Sequence, residues 1–278
     1  MKIVAGIILY NPDINRLMEN ISAISPQVEH IIIIDNNSAN ILGLKENLIK
    51  NSKIKFVKNE NNLGVAKALN QIALSAISLD YEWLITLDQD SVAPENLVEI
   101  YSKYIEIDKV GMISCKIIDR NFGELSSQRE KRKGWEFVDM CITSASMINL
   151  SVWQTVGGFC EEMFIDSVDF DICYLMQEYG YKILKTNEVA LLHEVGKSQK
   201  IKFCGREELV FHHSPLRCYY MIRNSLLLGE RHSKRLFFMY VAIKRFCLVI
   251  IYEDDKCNKM NMMFKGFFHA MIGRYGQL

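Results

Sequence analysis

The sequence has no hydrophobic run long enough to cross a membrane. Within its 278 residues, the longest apolar runs are 236–243 and 246–252, and two basic residues separate them. Neither approaches the ~20 residues that a membrane-spanning helix needs. A shorter apolar run, residues 4–9, follows a single lysine and ends at Asn-Pro-Asp, which predicts a first β-strand and not a secretory signal. We therefore expect a protein that is soluble or lies on a membrane surface.

The sequence also has no C-x-x-C pair, although it contains eight cysteines. Most of them lie among apolar neighbours, where a thiol behaves as a small core residue. Together with the missing secretory signal, this favours a reducing compartment. We expect a cytoplasmic location, with peripheral contact at the inner face of the cell membrane as an additional hypothesis.

The chain has no net charge, because 33 Lys and Arg balance 33 Asp and Glu. The balance hides an asymmetry: residues 197–278 hold 15 Lys and Arg against 6 Asp and Glu, and the first 196 residues hold 18 against 27. A basic C-terminal part is typical of attraction to phosphate, to an anionic membrane or to an acidic partner. A solvated helix face rich in lysine explains the composition equally well, so both interpretations stay open.

Strand and helix patterns alternate through the first half of the chain. Apolar, Ile-rich runs predict strands over 3–10, 30–34, 54–57 and 83–87, and helical spacing predicts helices over 14–24, 65–79 and 94–105. Such alternation predicts a Rossmann-like α/β fold, in which helices cover both faces of a mostly parallel sheet. Later patterns predict a long strand over 137–150, short helices over 151–156 and 168–179, a strand over 189–192, and helices over 215–228, 234–252 and 259–272.

The strand over 83–87 is followed by two aspartates one residue apart, Asp88 and Asp90. Alternate side chains of a strand point the same way, so both carboxylates can face one site as the strand ends. Two hard oxygen ligands suit Mg²⁺ or Mn²⁺ shared with a substrate phosphate. A cation there would stabilise a departing diphosphate, as a reaction that consumes a sugar nucleotide requires. Aspartate is also a common turn residue, so the pair alone does not decide.

Other polar residues stand at neighbouring strand ends, where ligands of parallel sheets bind. Asn11 follows the first strand, and Asp35 with Asn37 follows the second, where they suit either a nucleotide contact or an Asx-type turn. Asn62 and Gly64 precede the helix over 65–79. The N-terminus of that helix can face a diphosphate, and a plain capped helix start explains the same residues.

The second half of the chain adds a cluster of three aspartates, Asp166, Asp169 and Asp171. A group-transfer enzyme needs one carboxylate as general base for the acceptor hydroxyl. At a helix start, Asp169 and Asp171 can instead complement the helix dipole. His193, at a predicted strand end, suits a metal or phosphate, although a lone histidine is usually neither. Two arginines with aromatic residues between them, at 217 and 223, suit a phosphate-bearing ligand or a packed surface helix.

Taken in order, these motifs resemble the inverting glycosyltransferases of the large bacterial polysaccharide-synthesis family, glycosyltransferase family 2. The motifs are Ile-Leu-Tyr-Asn-Pro, Ile-Asp-Asn-Asn-Ser, Asn-Leu-Gly-Val-Ala-Lys-Ala-Leu-Asn, Leu-Asp-Gln-Asp-Ser, Gly-Gly-Phe-Cys-Glu-Glu-Met-Phe-Ile-Asp-Ser-Val-Asp-Phe-Asp and His-Glu-Val-Gly. Within the family, His-Ser-Pro-Leu-Arg-Cys-Tyr-Tyr at 213–220, the following Arg-Asn, and the Leu-Asp-Gln-Asp form of the acidic motif are most similar to the rhamnosyltransferase-like branch. The resemblance covers essentially the whole chain.

The resemblance implies a GT-A fold over residues 1–214, with a parallel nucleotide-binding half (1–91), a mixed acceptor-binding half (92–214), and a helical segment over 215–278. It implies Asp169 as the base, although Val168 stands where the family usually has glutamate. Implied metal ligands, for Mg²⁺ or Mn²⁺, are Asp88, Asp90 and His193. Implied donor contacts are Tyr10, Asn11, Asp35, Asn37, Asn62, Gly64, Lys67, Asp88, Gln89, Arg217 and Arg223. Implied acceptor contacts are Phe164, Asp166 and Asp171.

The function implied is transfer of a sugar with inversion, in cell-surface polysaccharide synthesis. The donor expected is dTDP-β-L-rhamnose, with a UDP-sugar as the alternative nucleotide. The acceptor expected is a glycan or a polyprenyl-diphosphate-linked glycan, and no nucleic acid partner is expected. In the last segment, we expect a helix over 234–252 with a basic face of Arg231, Lys234, Arg235 and Arg245, opposite Phe237 and Tyr240. Such a helix is either drawn to anionic lipid or docked on the catalytic domain with its charges in water, and both interpretations stay open.

Three other functions compete with this one. A glycosyltransferase-like binding subunit without activity would not need Asp88, Asp90 and Asp169 together. A dinucleotide-dependent oxidoreductase should have G-x-G-x-x-G after its first strand, where this chain has Asn-Pro. A sugar nucleotidyltransferase should have a basic, glycine-rich loop at the same place, and that loop is missing.

Overall fold

Buried strands and amphipathic helices alternate through the first 91 residues, as the sequence predicts. In this computed structural model, the residues described are 2–119, 123–124, 134–193, 199–203 and 205–278. The elements of the first part are β1 (Ile3–Leu9), α1 (Ile14–Ile24), β2 (Ile31–Asp35), α2 (Leu42–Lys50), β3 (Ile54–Lys58), α3 (Val65–Ser78) and β4 (Trp83–Asp88). The prediction missed α2 and the short 3₁₀ helix over Ser25–Gln27.

These four strands are parallel and lie in the order β3-β2-β1-β4. The register pairs Leu9 with Asp35 and Ile8 with Asp88. Because parallel neighbours end at the same edge of a sheet, the chain leaves β1, β2 and β4 side by side. That edge therefore gathers the polar residues that follow each strand.

The second half of the sheet is mixed. Its elements are α4 (Leu97–Ser102), β5 (Val110–Asp119), β6 (Gly123–Glu124), β7 (Trp135–Val138), β8 (Ser146–Asn149), α5 (Leu150–Val156), α6 (Val168–Glu178) and β9 (Lys182–His193). The sheet continues from β4 through β8, β5 and β9 to β7, and β6 pairs with β5. Only the pairing of β5 with β9 is parallel here. The expected parallel half followed by a mixed half is confirmed.

Several predicted boundaries in this half were wrong. The strand expected over 137–150 is two strands, β7 and β8, that lie apart in the sheet. The helix expected over 94–105 is only α4, since turns occupy its two ends. Strand β5 was missed, and the strand expected over 189–192 is the end of the twelve-residue β9. Apolar content alone did not separate strand from turn in this region.

Helices cover both faces of the sheet. On one face, the odd residues of β1 share a core with α1 and α4, through residues such as Leu17, Ile21 and Ile100. On the other face α3 packs so closely that a Cβ at Gly6 would stand 2.4 Å from Cγ2 of Ile72. The predicted α/β arrangement with helices on both faces is therefore confirmed, and Gly6 is a point of close contact between strand and helix.

The chain divides into two compact units: Met1–Phe159 with Ile172–Glu194, and Cys160–Asp171 with Val195–Leu278. This division differs from the boundary expected after residue 214. The second unit holds a hairpin of β10 (Gln199–Phe203) and β11 (Arg206–Val210) and three helices, α7 (Pro215–Arg231), α8 (Arg235–Tyr252) and α9 (Lys256–Met271). The helices share a core of Cys218, Ile222, Ala242, Val249 and Met263.

Of the basic face expected on the helix over 234–252, Lys234 and Arg235 are exposed, whereas the assignment of Arg245 and Arg231 to that face was wrong. Arg245 is buried in an ion pair with Glu253 at 2.7 Å, and Arg231 donates a hydrogen bond to Asp171. Phe237 and Tyr240, which were expected opposite the basic face, are more than half exposed. Helical periodicity does not reveal the carboxylates of Glu253 and Asp171, which pair with Arg245 and Arg231. Among the described residues, none of the helices is long and apolar enough to cross a membrane.

We predict that Gly6→Ala lowers the free energy of unfolding by about 1–3 kcal/mol, because the added methyl group overpacks the contact with Ile72. The exposed Gly43 is the matched control, since a Cβ there meets nothing within 4 Å. Urea unfolding followed by circular dichroism should show Gly43→Ala at or slightly above the stability of the parent. Equal midpoints for the two variants would contradict the close packing at Gly6.

Candidate functional site

The acidic pair lies at the carboxyl end of β4. Asp88 is the last residue of the strand, and its amide donates a hydrogen bond to Oγ of Ser144 at 3.0 Å. Its carbonyl accepts a hydrogen bond from Nδ2 of the buried Asn20 at 2.6 Å. The side chains of Asp88 and Asp90 stay 49% and 38% exposed. The backbone of the pair is thus fixed from both sides, while both carboxylates remain open to a ligand.

His193 reaches this pair through a backbone bridge. Val92 and Leu192 exchange hydrogen bonds of 2.9 and 3.2 Å in an antiparallel bridge. Because the bridge is antiparallel, the residue before Val92 faces the residue after Leu192, which is His193. Its Nδ1 lies 3.8 Å from Oδ1 of Asp90 and its Nε2 lies 4.0 Å from Oδ2 of Asp88. The rest of the predicted His-Glu-Val-Gly motif, residues 194–196, lies outside the described residues.

Two buried serines orient the histidine. Nδ1 of His193 lies 2.9 Å from Oγ of Ser91, and that hydroxyl lies 2.8 Å from Oγ of Ser144. The same Ser144 hydroxyl accepts from the Asp88 amide, so one chain of hydrogen bonds joins the strand end to the imidazole. A ring nitrogen held in this way fixes the orientation of the ring and leaves Nε2 toward Asp88. Ser91 directly follows the acidic pair in the sequence, whereas no sequence pattern indicates Ser144.

The three side chains fit a divalent cation. One ligand atom from each of Asp88, Asp90 and His193 lies within 4.8 Å of the others. Two carboxylates supply the oxygen ligands that Mg²⁺ and Mn²⁺ prefer, and an imidazole adds a nitrogen ligand that transition metals accept. The sequence predicted this set, and the structure brings its three members together.

β2 ends at a buried carboxylate, Asp35, of which only one oxygen accepts a hydrogen bond within the described structure. Asp35 is fully buried, and its Oδ1 accepts a hydrogen bond from the amide of Ser38 at 2.9 Å. Within the described part of the chain, its Oδ2 has no hydrogen-bond partner. An unsatisfied buried acceptor is costly, about 1–3 kcal/mol. A ligand N–H would therefore be bound favourably at this position. Asn37, two residues on, is exposed and has a left-handed backbone with φ of 65°.

The loop after β1 is tied to its neighbours. The amide of Tyr10 donates to Oε1 of Gln89 at 2.9 Å, and the amide of Asn11 donates to Oγ of Ser38 at 2.8 Å. Oδ1 of Asn11 accepts from the amide of Ala39. Gln89 and Asn11 therefore join the loops after β1, β2 and β4, and the ring of Tyr10 stays half exposed.

Gly64 begins α3 in a conformation that favours glycine. Its φ is 86°, its amide donates to Oδ1 of Asn62 at 3.0 Å, and its carbonyl accepts from Nδ2 of Asn36 at 3.1 Å. Lys67 is exposed in the first turn of the helix. The helix start is thus fixed by asparagine side chains from two loops. Asn62 was predicted at this helix start, and the contact of Asn36 was not.

The second unit holds the predicted acceptor and base residues. Asp169 lies in the first turn of α6 and is partly exposed. Asp166 accepts hydrogen bonds from Nε and Nη2 of Arg217 at 3.2 and 3.1 Å. Burial raises the pKa of Asp166, and the neighbouring Arg217 guanidinium opposes that rise. The ring of Phe164 stacks on Tyr220 with 5.2 Å between ring centres.

Two predicted ligand contacts are incompatible with the structure. Asp171, expected to contact the acceptor, is fully buried and accepts hydrogen bonds from Nε of Arg231 at 2.8 Å and from the ring of His232 at 2.9 Å. Arg223, expected to contact the donor, is also fully buried, and its guanidinium donates to backbone carbonyls. The charges of Asp171 and Arg223 suggested contacts with substrate in the sequence. In the structure, both side chains are hydrogen-bonded to other groups of the protein.

The sequence of the chain matches a known protein family. The model of glycosyl transferase family 2 matches residues 6–164. The chain is also similar to the dTDP-rhamnosyl transferase RfbF of Shigella flexneri, with 28% identity over 288 residues that cover 99% of this chain and 96% of that one.

Solved structures share the fold at low identity. A crystal structure of GalNAc-T7 with UDP, GalNAc and Mn²⁺ aligns with a TM-score of 0.66 and 15% identity over 98% of this chain, which spans only 56% of that structure. Residues 1–349 of S. aureus TarS, in complex with UDP-GlcNAc, align with a TM-score of 0.64 and 14% identity, covering 97% of this chain and 81% of that one. The expected GT-A fold is confirmed. By its sequence match over more than half of its length, the chain belongs to glycosyl transferase family 2.

Proposed function

We propose that the protein transfers L-rhamnose from dTDP-β-L-rhamnose to a glycan or lipid-linked acceptor, with inversion, in cell-surface polysaccharide synthesis. The observation that carries the proposal is the cluster of Asp88, Asp90 and His193 at the edge where the parallel strands end. The choice of donor is supported by the similarity to the dTDP-rhamnosyl transferase RfbF, which extends over nearly the whole of both chains.

Asp88, Asp90 and His193 would hold Mg²⁺ or Mn²⁺. When bound, the cation supplies positive charge that stabilises the diphosphate leaving group. The two carboxylates are exposed enough to share a cation with a bound diphosphate, and the buried serines keep the imidazole in place. One structure with the same fold contains UDP and Mn²⁺, which supports the choice of cation.

The donor nucleotide would bind at the same strand edge. Oδ2 of Asp35 is a buried acceptor that suits the ring N–H of a pyrimidine base. Thymine and uracil both carry this N–H, so Asp35 would accept dTDP-sugars and UDP-sugars alike. The half-exposed ring of Tyr10, the start of α3 at Gly64, and the side chains of Asn37 and Lys67 would complete the donor contacts. Selection of the sugar must then come from residues that face it, not from the contact with the base.

Asp169 would act as the general base in a single displacement. Its carboxylate takes the proton of the acceptor hydroxyl as that oxygen attacks the anomeric carbon. The bond from the anomeric carbon to the diphosphate oxygen breaks in the same step, so a β-linked donor would give an α-linked product. Asp169 suits this role because it is partly exposed, whereas Asp171 is fully buried and Asp166 is paired with Arg217.

We predict that Asp90→Asn abolishes detectable Mn²⁺ binding and nearly all rhamnosyl transfer, because one of the two anionic ligands of the site is lost. Calorimetric titration with MnCl₂ gives a readout independent of turnover. The matched control is Asp108→Asn, an exposed aspartate outside the site, which should bind Mn²⁺ and transfer sugar as the parent does. Undiminished transfer by the parent in excess chelator would overturn the metal role. Absence of both transfer and donor hydrolysis in the metal-loaded parent, over a panel of nucleotide sugars, would favour the binding-subunit alternative.

We predict that Asp169→Asn lowers kcat by at least ~10²–10⁴-fold, because the amide cannot accept the proton. Binding of dTDP-rhamnose, measured by calorimetry, should change little. Glu178→Gln, at the other end of α6, is the control and should retain the parental rate. A parental rate for Asp169→Asn would show that Asp169 is not the base and that another residue accepts the proton of the acceptor hydroxyl.

We further propose that the second unit contacts the membrane through an apolar surface on α8 and α9. Of the 23 large hydrophobic side chains that are exposed in the described structure, 11 lie on or beside these two helices. The apolar surface consists of Leu236, Phe237, Tyr240, Ile243, Ile250, Ile251, Tyr252, Phe264, Phe268, Met271 and Ile272. Monomeric soluble proteins rarely expose so many neighbouring apolar groups without a partner.

The exposed apolar residues of α8 lie next to those of α9. The ring of Phe246 lies 5.1 Å from that of Phe264, and Phe246 is one helical turn from both Ile243 and Ile250. Exposed basic residues stand beside this surface, at Lys234, Arg235, Lys265 and Arg274. Aromatic and aliphatic residues with neighbouring cations are typical of a helix that lies in the interface of an anionic membrane.

We predict that the protein sediments with vesicles of phosphatidylcholine and phosphatidylglycerol at low salt, and that Ile243→Glu combined with Phe268→Glu abolishes this binding. Leu74→Glu, an equally exposed position on α3, is the control and should bind as the parent does. If the parent ignores the vesicles and forms a dimer that the double variant dissociates, the surface binds a second copy and the membrane proposal is wrong.

A further inference from the structure

We propose that Arg223 and Asn224 of α7 are positioning residues for the reaction, because they hold in place the segment that carries Asp169. The segment is Cys160–Asp171, which belongs to the same compact unit as α7. The inference rests on the proposed role of Asp169 as the base. The sequence predicted a donor contact for Arg223. The proposal instead gives Arg223 and its neighbour Asn224 the role of holding the segment that carries the base.

The segment has little regular structure of its own before α6 begins. Apart from a single 3₁₀ turn over Glu161–Met163, it runs without helix or strand to residue 167. Three of its non-glycine residues, Phe164, Asp166 and Ser167, have left-handed φ angles of 62°, 66° and 66°. Such conformations are unfavourable for residues with a Cβ and persist only where the surroundings impose them. Something outside the segment must therefore determine its path.

Arg223 and Asn224 supply that constraint through backbone carbonyls. Nη2 of Arg223 donates to the carbonyls of Glu162 and Met163 at 2.9 and 3.0 Å. Nδ2 of Asn224 lies 2.8, 2.7 and 2.9 Å from the carbonyls of Met163, Ile165 and Asp166. Four carbonyls in five successive residues are thus held by two adjacent side chains.

The two side chains are themselves fixed. Both are fully buried, and Nε of Arg223 donates to Oδ1 of Asn224 at 3.0 Å. The guanidinium lies 4.8 Å from the ring centre of Tyr220 and 5.4 Å from that of Tyr219. Its Nη1 donates to the carbonyl of Gly276. With its rotamer set by rings and each of its three guanidinium nitrogens hydrogen-bonded, Arg223 can act as a rigid support.

Further contacts with α7 stand on both sides of Asp169. Before it, Asp166 pairs with Arg217; after it, the buried Asp171 pairs with Arg231. Residues 217, 224 and 231 are spaced by seven, so they lie along one face of α7. The base is therefore carried by a short stretch whose two ends are attached to the same helix. Displacement of a catalytic group by about 1 Å can cost ~10²-fold in rate, which makes such attachment relevant to turnover.

A double-mutant cycle tests whether Asn224 acts through Asp169. The variants are Asn224→Ala, Asp169→Asn and their combination, with kcat, KM for dTDP-rhamnose and thermal midpoint measured for each. We expect Asn224→Ala to lower kcat by about 10–10²-fold with little change in KM. On the Asp169→Asn background, the same substitution should change kcat less than about threefold, because the group that it positions is already gone.

Tyr219→Phe is the matched control. It keeps the ring beside Arg223 and removes only the buried hydrogen bond of the hydroxyl to His269, so it should lower the thermal midpoint and leave kcat unchanged. Asn224→Ser and Arg223→Lys repeat the measurement if the alanine variant does not fold. A parental kcat for these variants, or equal losses on both backgrounds, would overturn the positioning role. A parental rate for Asp169→Asn would instead refute the proposed base, whatever the Asn224 variants show.

Discussion

The backbone register of the parallel strands is the constraint on which the candidate donor site depends. Hydrogen bonds along β1, β2 and β4 pair Leu9 with Asp35 and Ile8 with Asp88. Each strand therefore releases its polar loop at the same edge, whatever those loops contain. Asn11, Gln89 and Ser38 then join the loops to one another through backbone amides. A shift of one residue in this register would separate the carboxylates and turn core side chains toward the opposite face.

Sequence patterns predicted most of this first unit, because its elements satisfy local rules. Continuous Ile-rich strands, helical spacing and the Asp-x-Asp spacing each depend on residues close together in the chain. Ser144 and the bridge from Val92 to Leu192 depend on contacts between residues 50 to 100 positions apart, and no local pattern reveals them. His193 was assigned by resemblance, and only the bridge explains how it reaches the acidic pair.

The second unit shows where reasoning from charge fails. Arg223, Asp171 and Arg245 looked like surface or ligand-binding groups in the sequence, yet all three are buried with partners. Removing ionised groups from water is costly unless each finds hydrogen bonds or an opposite charge. In this unit, backbone carbonyls accept hydrogen bonds from Arg223, and His232 contacts Asp171. Glu253 pairs with both Arg245 and Lys259. Those partners are distant in sequence from the groups that they satisfy, with the exception of Glu253 and its two cations.

The bridge between Val92 and Leu192 has a consequence for how the first unit folds. It closes a loop of about 100 residues, so the third side chain of the candidate cation site reaches the acidic pair through a contact of very long sequence separation. Contacts of such long sequence separation form slowly, since loop closure must precede any gain from them. A chain that stopped at Ser91 would carry both aspartates of the site and lack its histidine, His193. Any cation that prefers all three ligands would therefore bind the completed unit more tightly than its folding intermediates, and would stabilise the native state by mass action.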